Sequence, residues 1–86
     1  MNNTYVIKER GRNGSATLTQ KGIERVLPRM IVADQVNFIP WANVQRLFLA
    51  TRLLSCNELE VHLISGEVFV WRCKEAKQML DFYMAL

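Results

Sequence analysis

The stretch VNFIPWANVQRLFLATRLL, residues 36–54, decides the fold because a proline divides two apolar runs. Pro40 has no amide proton and therefore does not fit inside a central strand or a helix interior. It also pushes Ile39 towards an extended conformation. We therefore expect an extended run over residues 36–39 and a corner over residues 40–43.

The residues after the proline predict a second, longer strand. Trp41 is left at the corner, where it covers the edge of the core. Residues 44–54 continue as a strand from which Arg46 and Arg52 can point to solvent. Residues 55–57, Ser-Cys-Asn, predict the next turn.

The segment ELEVHLISGEVFVWR, residues 58–72, is typical of a β-hairpin. Its first run alternates apolar and polar residues, the period of a strand with one wet face. The apolar positions are Leu59, Val61 and Leu63, and the polar ones are Glu58, Glu60 and His62. Ser65-Gly66 resembles a two-residue turn in which glycine supplies the positive φ. Residues 68–71 are rich in β-formers and predict the second strand.

The final segment, CKEAKQMLDFYMAL, predicts an amphipathic helix of about three turns or more. It contains good helix formers and neither glycine nor proline. The apolar stripe consists of Cys73, Ala76, Met79, Leu80, Tyr83 and Leu86. We expect Met79, Leu80 and Tyr83 to be buried against a sheet, while Phe82 and Leu86 are candidates for a self-associating edge.

The amino-terminal third is typical of short strands separated by turns. The predicted extended segments are residues 5–7, 16–19, 23–27 and 30–32. GRNGS, residues 11–15, is predicted to be a loop from its two glycines and asparagine. Lys21-Gly22 joins two of the strands, and Pro28 ends the second of them.

These elements predict one mainly β domain over residues 1–86. It is a bent antiparallel sheet or partly open barrel of six to seven strands, capped by one carboxy-terminal amphipathic helix. A chain of 86 residues is the size of a single domain and buries only about 60 % of its unfolded surface. An SH3-like or Sm-like small barrel is the alternative, in which the helix would occupy another position.

Charge is unevenly distributed along the chain. Residues 1–29 hold six basic residues and two acidic ones, whereas residues 57–86 hold three basic and five acidic. The candidate binding residues of the basic half are Lys8, Arg10, Arg12, Lys21 and Arg25. Such a half can meet phosphates or an acidic protein, or it can be a solvated face.

Cysteine usage and hydropathy predict a soluble cytoplasmic protein. Cys56 and Cys73 are too few for a disulfide framework and suit a reducing compartment as free thiols. The polar amino terminus does not look like a signal peptide, and no apolar run approaches the roughly 20 residues of a membrane span.

No constellation of residues predicts catalysis, so we expect a non-enzymatic protein without a cofactor or a metal. His62 is the single histidine and shares its strand face with glutamates, where a solvated or cross-strand role suits it. Structural zinc requires four Cys or His ligands. A reactive thiol at Cys73, near a helix amino terminus, is the alternative.

Four aromatic residues leave two interpretations open. Trp41, Phe48, Phe69 and Trp71 form the core of so small a domain in the favoured interpretation. In the other they stack nucleic-acid bases, with Arg46, Arg52 and Arg72 alongside.

The order of elements resembles the pleckstrin-homology-like fold, in particular its bacterial versions. The resemblance covers roughly residues 15–86 and rests on TLTQKGI, IPWANVQRLFL, LEVHLISGEVFVW and EAKQMLDFYMAL taken together. It implies a strongly bent seven-stranded antiparallel barrel with a carboxy-terminal helix over one open end. Phosphoinositide-binding members carry a basic cluster in the first strand-strand loop. This chain has Lys8, Arg10, Arg12 and Lys21 there without a patterned motif, so lipid binding is not carried over.

The predicted function is a small binding module that contacts a protein partner or a second copy of itself. Contact through a sheet edge or through the face near the basic half fits the sequence. The alternative is binding of nucleic acid or anionic lipid through that basic half.

Overall fold

The structure, a computed structural model, describes residues 3–28, 35–52 and 56–86. Within these ranges there are seven strands and one α-helix. The strands are β1 (Thr4–Glu9), β2 (Arg12–Leu18), β3 (Gly22–Leu27), β4 (Gln35–Pro40), β5 (Val44–Arg52), β6 (Cys56–Leu63) and β7 (Val68–Arg72), and the helix is α1 (Ala76–Met84). The sequence predictions for residues 30–32 and 53–55 lie outside the described residues, as do the predictions for the side chains of Arg52 and Cys56.

All seven strands belong to one antiparallel sheet that does not close. Their order is β4-β3-β2-β1-β7-β6-β5. The two halves of the sheet meet where β1 pairs with β7 at Lys8 and Arg72. In the part of the chain that the structure describes, β4 pairs only with β3 and β5 only with β6, so these two strands are the edges. The prediction of a mainly β fold with a bent antiparallel sheet and one carboxy-terminal helix is confirmed.

The core lies between the inner faces of the bent sheet and the helix. Its largest fully buried side chains are Trp71, Ile7, Leu18, Ile23, Leu27, Leu59, Met79 and Val61. α1 packs on β5 and β6. Ala76 and Met79 are buried, and Leu80 and Tyr83 are half-buried against the core, so the predicted apolar stripe holds over these positions.

The corner at Pro40 is confirmed and fixes the helix to the sheet. β4 ends at Pro40, a short 3₁₀ turn covers Trp41–Asn43, and β5 begins at Val44. The Trp41 indole N–H donates to the Thr19 carbonyl at 2.8 Å. Its ring packs against Tyr83 at 5.5 Å and Phe82 at 6.5 Å between centroids. Phe82 therefore packs against the corner.

The prediction of a loop over residues 11–15 is wrong. The β1–β2 turn consists of Arg10 and Gly11 alone, with φ of 50° and 78°, and β2 begins at Arg12. Positive φ at both positions is the type I′ turn that matches the twist of paired strands. Gly14 instead lies inside β2, where a Cβ would collide with the carbonyl oxygen of Val26.

Three boundaries in the carboxy-terminal half also differ from the prediction. Cys56 and Asn57 belong to β6 and not to a turn. The β6–β7 connection has four residues, Ile64 to Glu67, with Gly66 at a φ of 94°. α1 has nine residues and ends before Leu86, which is 52 % exposed.

Candidate functional site

The structure divides the five basic candidate residues among three places. Lys8, Arg10 and Arg12 are exposed at the tip of the β1–β2 hairpin. Lys21 is exposed in the β2–β3 turn, at the opposite end of β2. Arg25 is buried inside the bent sheet. The five therefore do not form one basic surface.

Arg25 is the centre of a polar cluster on the inner face of the sheet, which we call the Arg25 cluster (Glu9, Arg25, Asn37, Phe69 and Trp71). Its Nη1 donates to Glu9 Oε1 at 2.9 Å, and its Nη2 donates to Asn37 Oδ1 at 2.9 Å. The guanidinium carbon lies 4.3 Å from the centre of the Phe69 ring. The Trp71 indole N–H donates to the same Glu9 oxygen at 2.7 Å.

The alternation of side chains along each strand explains why the charged side chains of Glu9 and Arg25 lie on the inner face of the sheet. Ile23, Arg25 and Leu27 occupy the inward phase of β3. Tyr5, Ile7 and Glu9 occupy the inward phase of β1. β2 lies between these strands and has the small residues Gly14 and Ala16 on its inner face there, so the long Arg25 side chain reaches Glu9.

The cluster is stabilised by several contacts that offset its desolvation. A buried arginine needs a counter-charge and hydrogen bonds, and Glu9 and Asn37 supply both. The Phe69 ring adds a cation–π contact. Arg25 Nε has no hydrogen-bond acceptor among the residues that the structure describes. The charge of Arg25 is therefore already matched by Glu9, and it does not offer a free cation to a phosphate.

Two adjoining cavities open at the Arg25 cluster, with volumes of about 430 and 370 Å³. Arg25, Glu67 and Phe69 line both of them. The first extends towards Arg10 on the β1–β2 turn. The second runs between β4 and the β6–β7 hairpin and reaches Asn37. This concave region therefore lies directly beside the edge strand β4.

The outer face of β4 carries exposed apolar side chains at the edge of the sheet. Val36 is 57 % exposed and Phe38 is 52 % exposed. Asn37, between them, points inward to Arg25. The strand sequence QVNFIP contains no ionisable residue. Since sheet edges are commonly protected by charged residues, this neutral and apolar edge is a candidate contact surface.

His62 belongs to a separate group on the outer face of β5 and β6. His62 Nε2 lies 3.0 Å from Glu60 Oε1, its neighbour two positions along the same strand. The Phe48 ring meets the imidazole edge-on at 4.9 Å, and Arg46 lies 4.4 Å above the Phe48 ring. Within residues 3–28, 35–52 and 56–86, no group of three His, Cys, Asp or Glu side chains is arranged to hold a metal ion.

Cys73 is a buried free thiol just before α1. Burial raises the pKa of the thiol above its ordinary value, and the carboxylate of Glu75 acts in the same direction. A hydrogen bond from the backbone of Glu75 lowers the pKa by less than burial raises it, although by more than the Glu75 carboxylate raises it. The thiolate needed for nucleophilic chemistry is thus disfavoured at neutral pH.

The aromatic residues do not form one stacking platform. Trp71 is fully buried, Phe69 packs parallel to it at 6.2 Å, and Trp41 packs against the helix. Phe48 alone of the four lies on the outer face, beside His62. The core interpretation is confirmed for Trp71, and Trp41 and Phe69 pack against the core while partly buried. It is wrong for Phe48, which is 39 % exposed because it lies on the outward phase of β5.

Sequence reasoning missed the partners of Arg25 and the position of β4 at an edge of the described sheet. The alternation of apolar and polar residues in β1 and β3 places Glu9 and Arg25 on the inward side of their strands. This alternation could have predicted that both side chains are buried. Asn37 carried no signal, because its contact depends on the register between β3 and β4.

Comparisons with known proteins give no family. A scan against protein-family models finds no match, and a search of the curated proteins finds none either. No helix in the described ranges combines the length and the apolar character that crossing a membrane requires.

Proposed function

We propose that this chain is a small, non-catalytic binding module of the pleckstrin-homology-like type, and that it contacts a protein through the free edge of β4. The observation that carries the proposal is the exposure of Val36 and Phe38 on a strand that pairs on one side only within the described residues. Backbone groups at such an edge bind an added strand by main-chain hydrogen bonds, a common mode of peptide recognition.

Two further features support this site. The cavity of about 370 Å³ beside Asn37 and Phe69 offers space for a side chain of the added strand. The other edge strand, β5, also exposes Phe48 and Leu49, but it carries the charged Arg46 on its outer face, whereas β4 has no charged residue. The free edge of β4 is therefore the better candidate.

The order of elements supports the family part of the proposal. Seven antiparallel strands in an open, bent sheet and a helix packed on its carboxy-terminal half agree with the pleckstrin-homology-like arrangement. The corner between β4 and β5 lies at the Ile-Pro-Trp step on which the resemblance rests. The resemblance is to bacterial versions of the fold, which favours a bacterial origin, and the buried free thiol of Cys73 supports a cytoplasmic location.

The test places a charge on the edge and compares it with a charge elsewhere on the same face. Phe38→Lys adds a cation where a partner strand would pack. Val6→Lys adds a cation at a 74 % exposed position on β1, a strand that has a neighbour on both sides. We expect a binding partner, either another protein in a lysate or a second copy, to be retained by the wild type and by Val6→Lys but not by Phe38→Lys. Both variants should keep the circular dichroism of the wild type.

Two results would contradict the proposal. One is binding that Phe38→Lys leaves unchanged. The other is the absence of both self-association and any captured protein that distinguishes the two variants.

A second candidate function rests on the hairpin tip. Lys8, Arg10 and Arg12 are three exposed cations on one tight hairpin, and they are suited to anionic lipid or nucleic acid. This candidate predicts binding to anionic vesicles, DNA or RNA that weakens steeply with salt and is lost in Lys8→Gln/Arg10→Asn/Arg12→Gln. Arg25 is left out of that variant because its replacement would break the buried cluster. Salt-sensitive binding of this kind, unaffected by Phe38→Lys, would favour the hairpin tip over β4.

A further inference from the structure

We infer that the protein bound at the free edge of β4 is a second copy of this chain, paired antiparallel β4 to β4 about a two-fold axis at Asn37. The inference rests on the proposed function and names its partner. It follows from which backbone groups face the edge and from the order of side chains along the strand.

The hydrogen bonds of the β3–β4 ladder identify the groups that face the edge. The Trp41 amide donates to the Lys21 carbonyl at 3.3 Å. Neighbouring residues of an antiparallel strand alternate in direction, so Ile39 and Asn37 also direct their amides and carbonyls towards β3. The backbone amides and carbonyls of Val36 and Phe38, and the carbonyl of Pro40, then point away from β3, towards the open edge.

Pro40 agrees with this assignment. Pro40 lies opposite Gly22 and has no N–H to donate. Because the backbone of Pro40 points to the edge, its missing N–H costs the β3–β4 ladder no hydrogen bond. Proline is tolerated in sheets at such edge-facing positions.

A two-fold register about Asn37 uses the edge-facing amides and carbonyls of Val36 and Phe38. In it, Val36 of each copy lies opposite Phe38 of the other. Each such pair exchanges both of its backbone hydrogen bonds, as an antiparallel hydrogen-bonded pair does. A register centred on Phe38 would place Val36 opposite Pro40, which has no N–H to return. Both registers form four backbone hydrogen bonds among these residues, but only the Asn37-centred one completes each of its pairs, because the Phe38-centred one leaves the Val36 carbonyl of each copy without a donor.

The side chains are also self-complementary in this register, as a two-fold interface requires. On the outer face, Val36 of each copy packs beside Phe38 of the other, an aromatic and β-branched pair that stabilises paired strands. On the inner face, Asn37 meets Asn37, and Arg25 holds the amide of each in place through its 2.9 Å hydrogen bond.

Charge favours β4 as the place where two copies meet. The chain carries a net charge of +3, so two copies repel each other on average. QVNFIP is uncharged and places no like charges opposite each other at the axis. An interface formed by one six-residue strand from each copy is expected to be weak and dependent on concentration.

The first measurement is the mass of the full chain by sedimentation from micromolar to millimolar concentration. We expect the mass to rise towards that of a dimer for the wild type and for Val6→Lys. Phe38→Lys and Val36→Lys should stay monomeric with unchanged circular dichroism. Two edge variants are used because the Phe38 ring lies over Gly22, where an added Cβ would come within 2.9 Å of the ring.

The second measurement tests the register by disulfide formation in a Cys56→Ser background. Paired residues lie about 5.5 Å apart between Cα atoms, within disulfide range. A mixture of Val36→Cys and Phe38→Cys chains should therefore form the mixed disulfide faster than either chain forms its own. Phe38→Cys mixed with Val6→Cys, an exposed position away from the edge, should show no such preference.

The outcomes separate the inference from the function on which it rests. A monomer at every concentration overturns the second copy as partner, and edge-dependent capture of another protein would then leave the proposed function standing. A dimer that survives Phe38→Lys and Val36→Lys overturns the β4 interface. Faster formation of the Phe38→Cys homodimer than of the mixed disulfide overturns the Asn37-centred register.

Discussion

Arg25 and Glu9 form an ion pair on the inner face of the sheet, although each belongs to a different neighbour of β2. Nη1 and Oε1 are 2.9 Å apart, and the side chains are 7 % and 14 % exposed. A pair this well buried is costly to desolvate, so its stability depends on both partners being present. The same pair fixes Arg25 under Asn37, the middle residue of the proposed interface.

Removing one charge of this pair should destabilise the domain strongly. Glu9→Gln keeps an oxygen that can accept from Trp71 but leaves Arg25 buried without a counter-charge. We expect a loss of about 3–5 kcal/mol in the free energy of unfolding, measured by urea titration. Glu24→Gln, at an exposed position on β3, is the matched control and should change stability by less than about 0.5 kcal/mol.

The double variant Glu9→Leu/Arg25→Met separates the charge pair from its packing. Because it removes both charges together, it should lose less stability than the sum of its two single variants. A Glu9→Gln variant as stable as the wild type would show that the pair does not need its charge.

Local signals predicted much of the fold. The alternation of residues 58–63, the glycine of the β6–β7 connection and the apolar stripe of the helix each depend on neighbours in sequence. The Pro40 corner was also predictable, because proline restricts its own backbone and that of Ile39. These elements appear in the structure at or near their predicted positions.

The candidate site was less predictable because it depends on distant parts of the chain. Glu9 and Arg25 show their inward phase in the sequence, but their contact requires the registers of both β1–β2 and β2–β3. The position of β4 at an edge follows from the order of all the strands that the structure describes. GRNGS misled because Gly14 serves a close approach to Val26 and not a turn.

The domain should be stabilised by replacing Arg10 in the β1–β2 turn with a residue that tolerates a positive φ. Arg10 has a φ of 50°, a left-handed conformation that costs most residues roughly 1–2 kcal/mol and asparagine less. Arg10→Asn creates the Asn-Gly pair preferred in type I′ turns and should raise the free energy of unfolding by up to about 1 kcal/mol.

Two controls bear on this prediction. Arg10→Lys keeps both the charge and the unfavourable φ, so its melting temperature should match that of the wild type. Gly11→Ala, at a φ of 78°, should be destabilised. A stabilising effect of Arg10→Lys equal to that of Arg10→Asn would remove the backbone explanation.

Cys73 should be unreactive in the native domain. Because burial raises the pKa of its thiol, less thiolate is present than in the unfolded chain at the same pH. Iodoacetamide labelling, followed by mass spectrometry of the peptide that contains Cys73, should be slow in native buffer and fast in urea. Rapid native labelling would support the alternative of a reactive thiol.

The raised pKa of Cys73 also predicts a direction for stability against pH. Between the unfolded and folded pKa values the native state binds more protons, so stability falls as pH rises through that range. The contribution is complete below the unfolded pKa of the thiol and is lost above the folded one. Cys73→Ala should remove this component from the alkaline slope of the free energy of unfolding. An unchanged slope would indicate that other groups cause it.

The helix should be essential to the core despite its nine residues. Met79 is fully buried and Leu80 half-buried against the sheet. Truncating a buried Met or Leu to Ala typically costs about 2–5 kcal/mol, a large part of the roughly 5–15 kcal/mol that stabilises a domain. We therefore expect Met79→Ala/Leu80→Ala to be unfolded or to melt far below the wild type. Gln78→Ala/Met84→Ala, at exposed positions of the same helix, should melt close to it. A Met79→Ala/Leu80→Ala variant that melts within a few degrees of the wild type would instead mean that the sheet is stable without the helix.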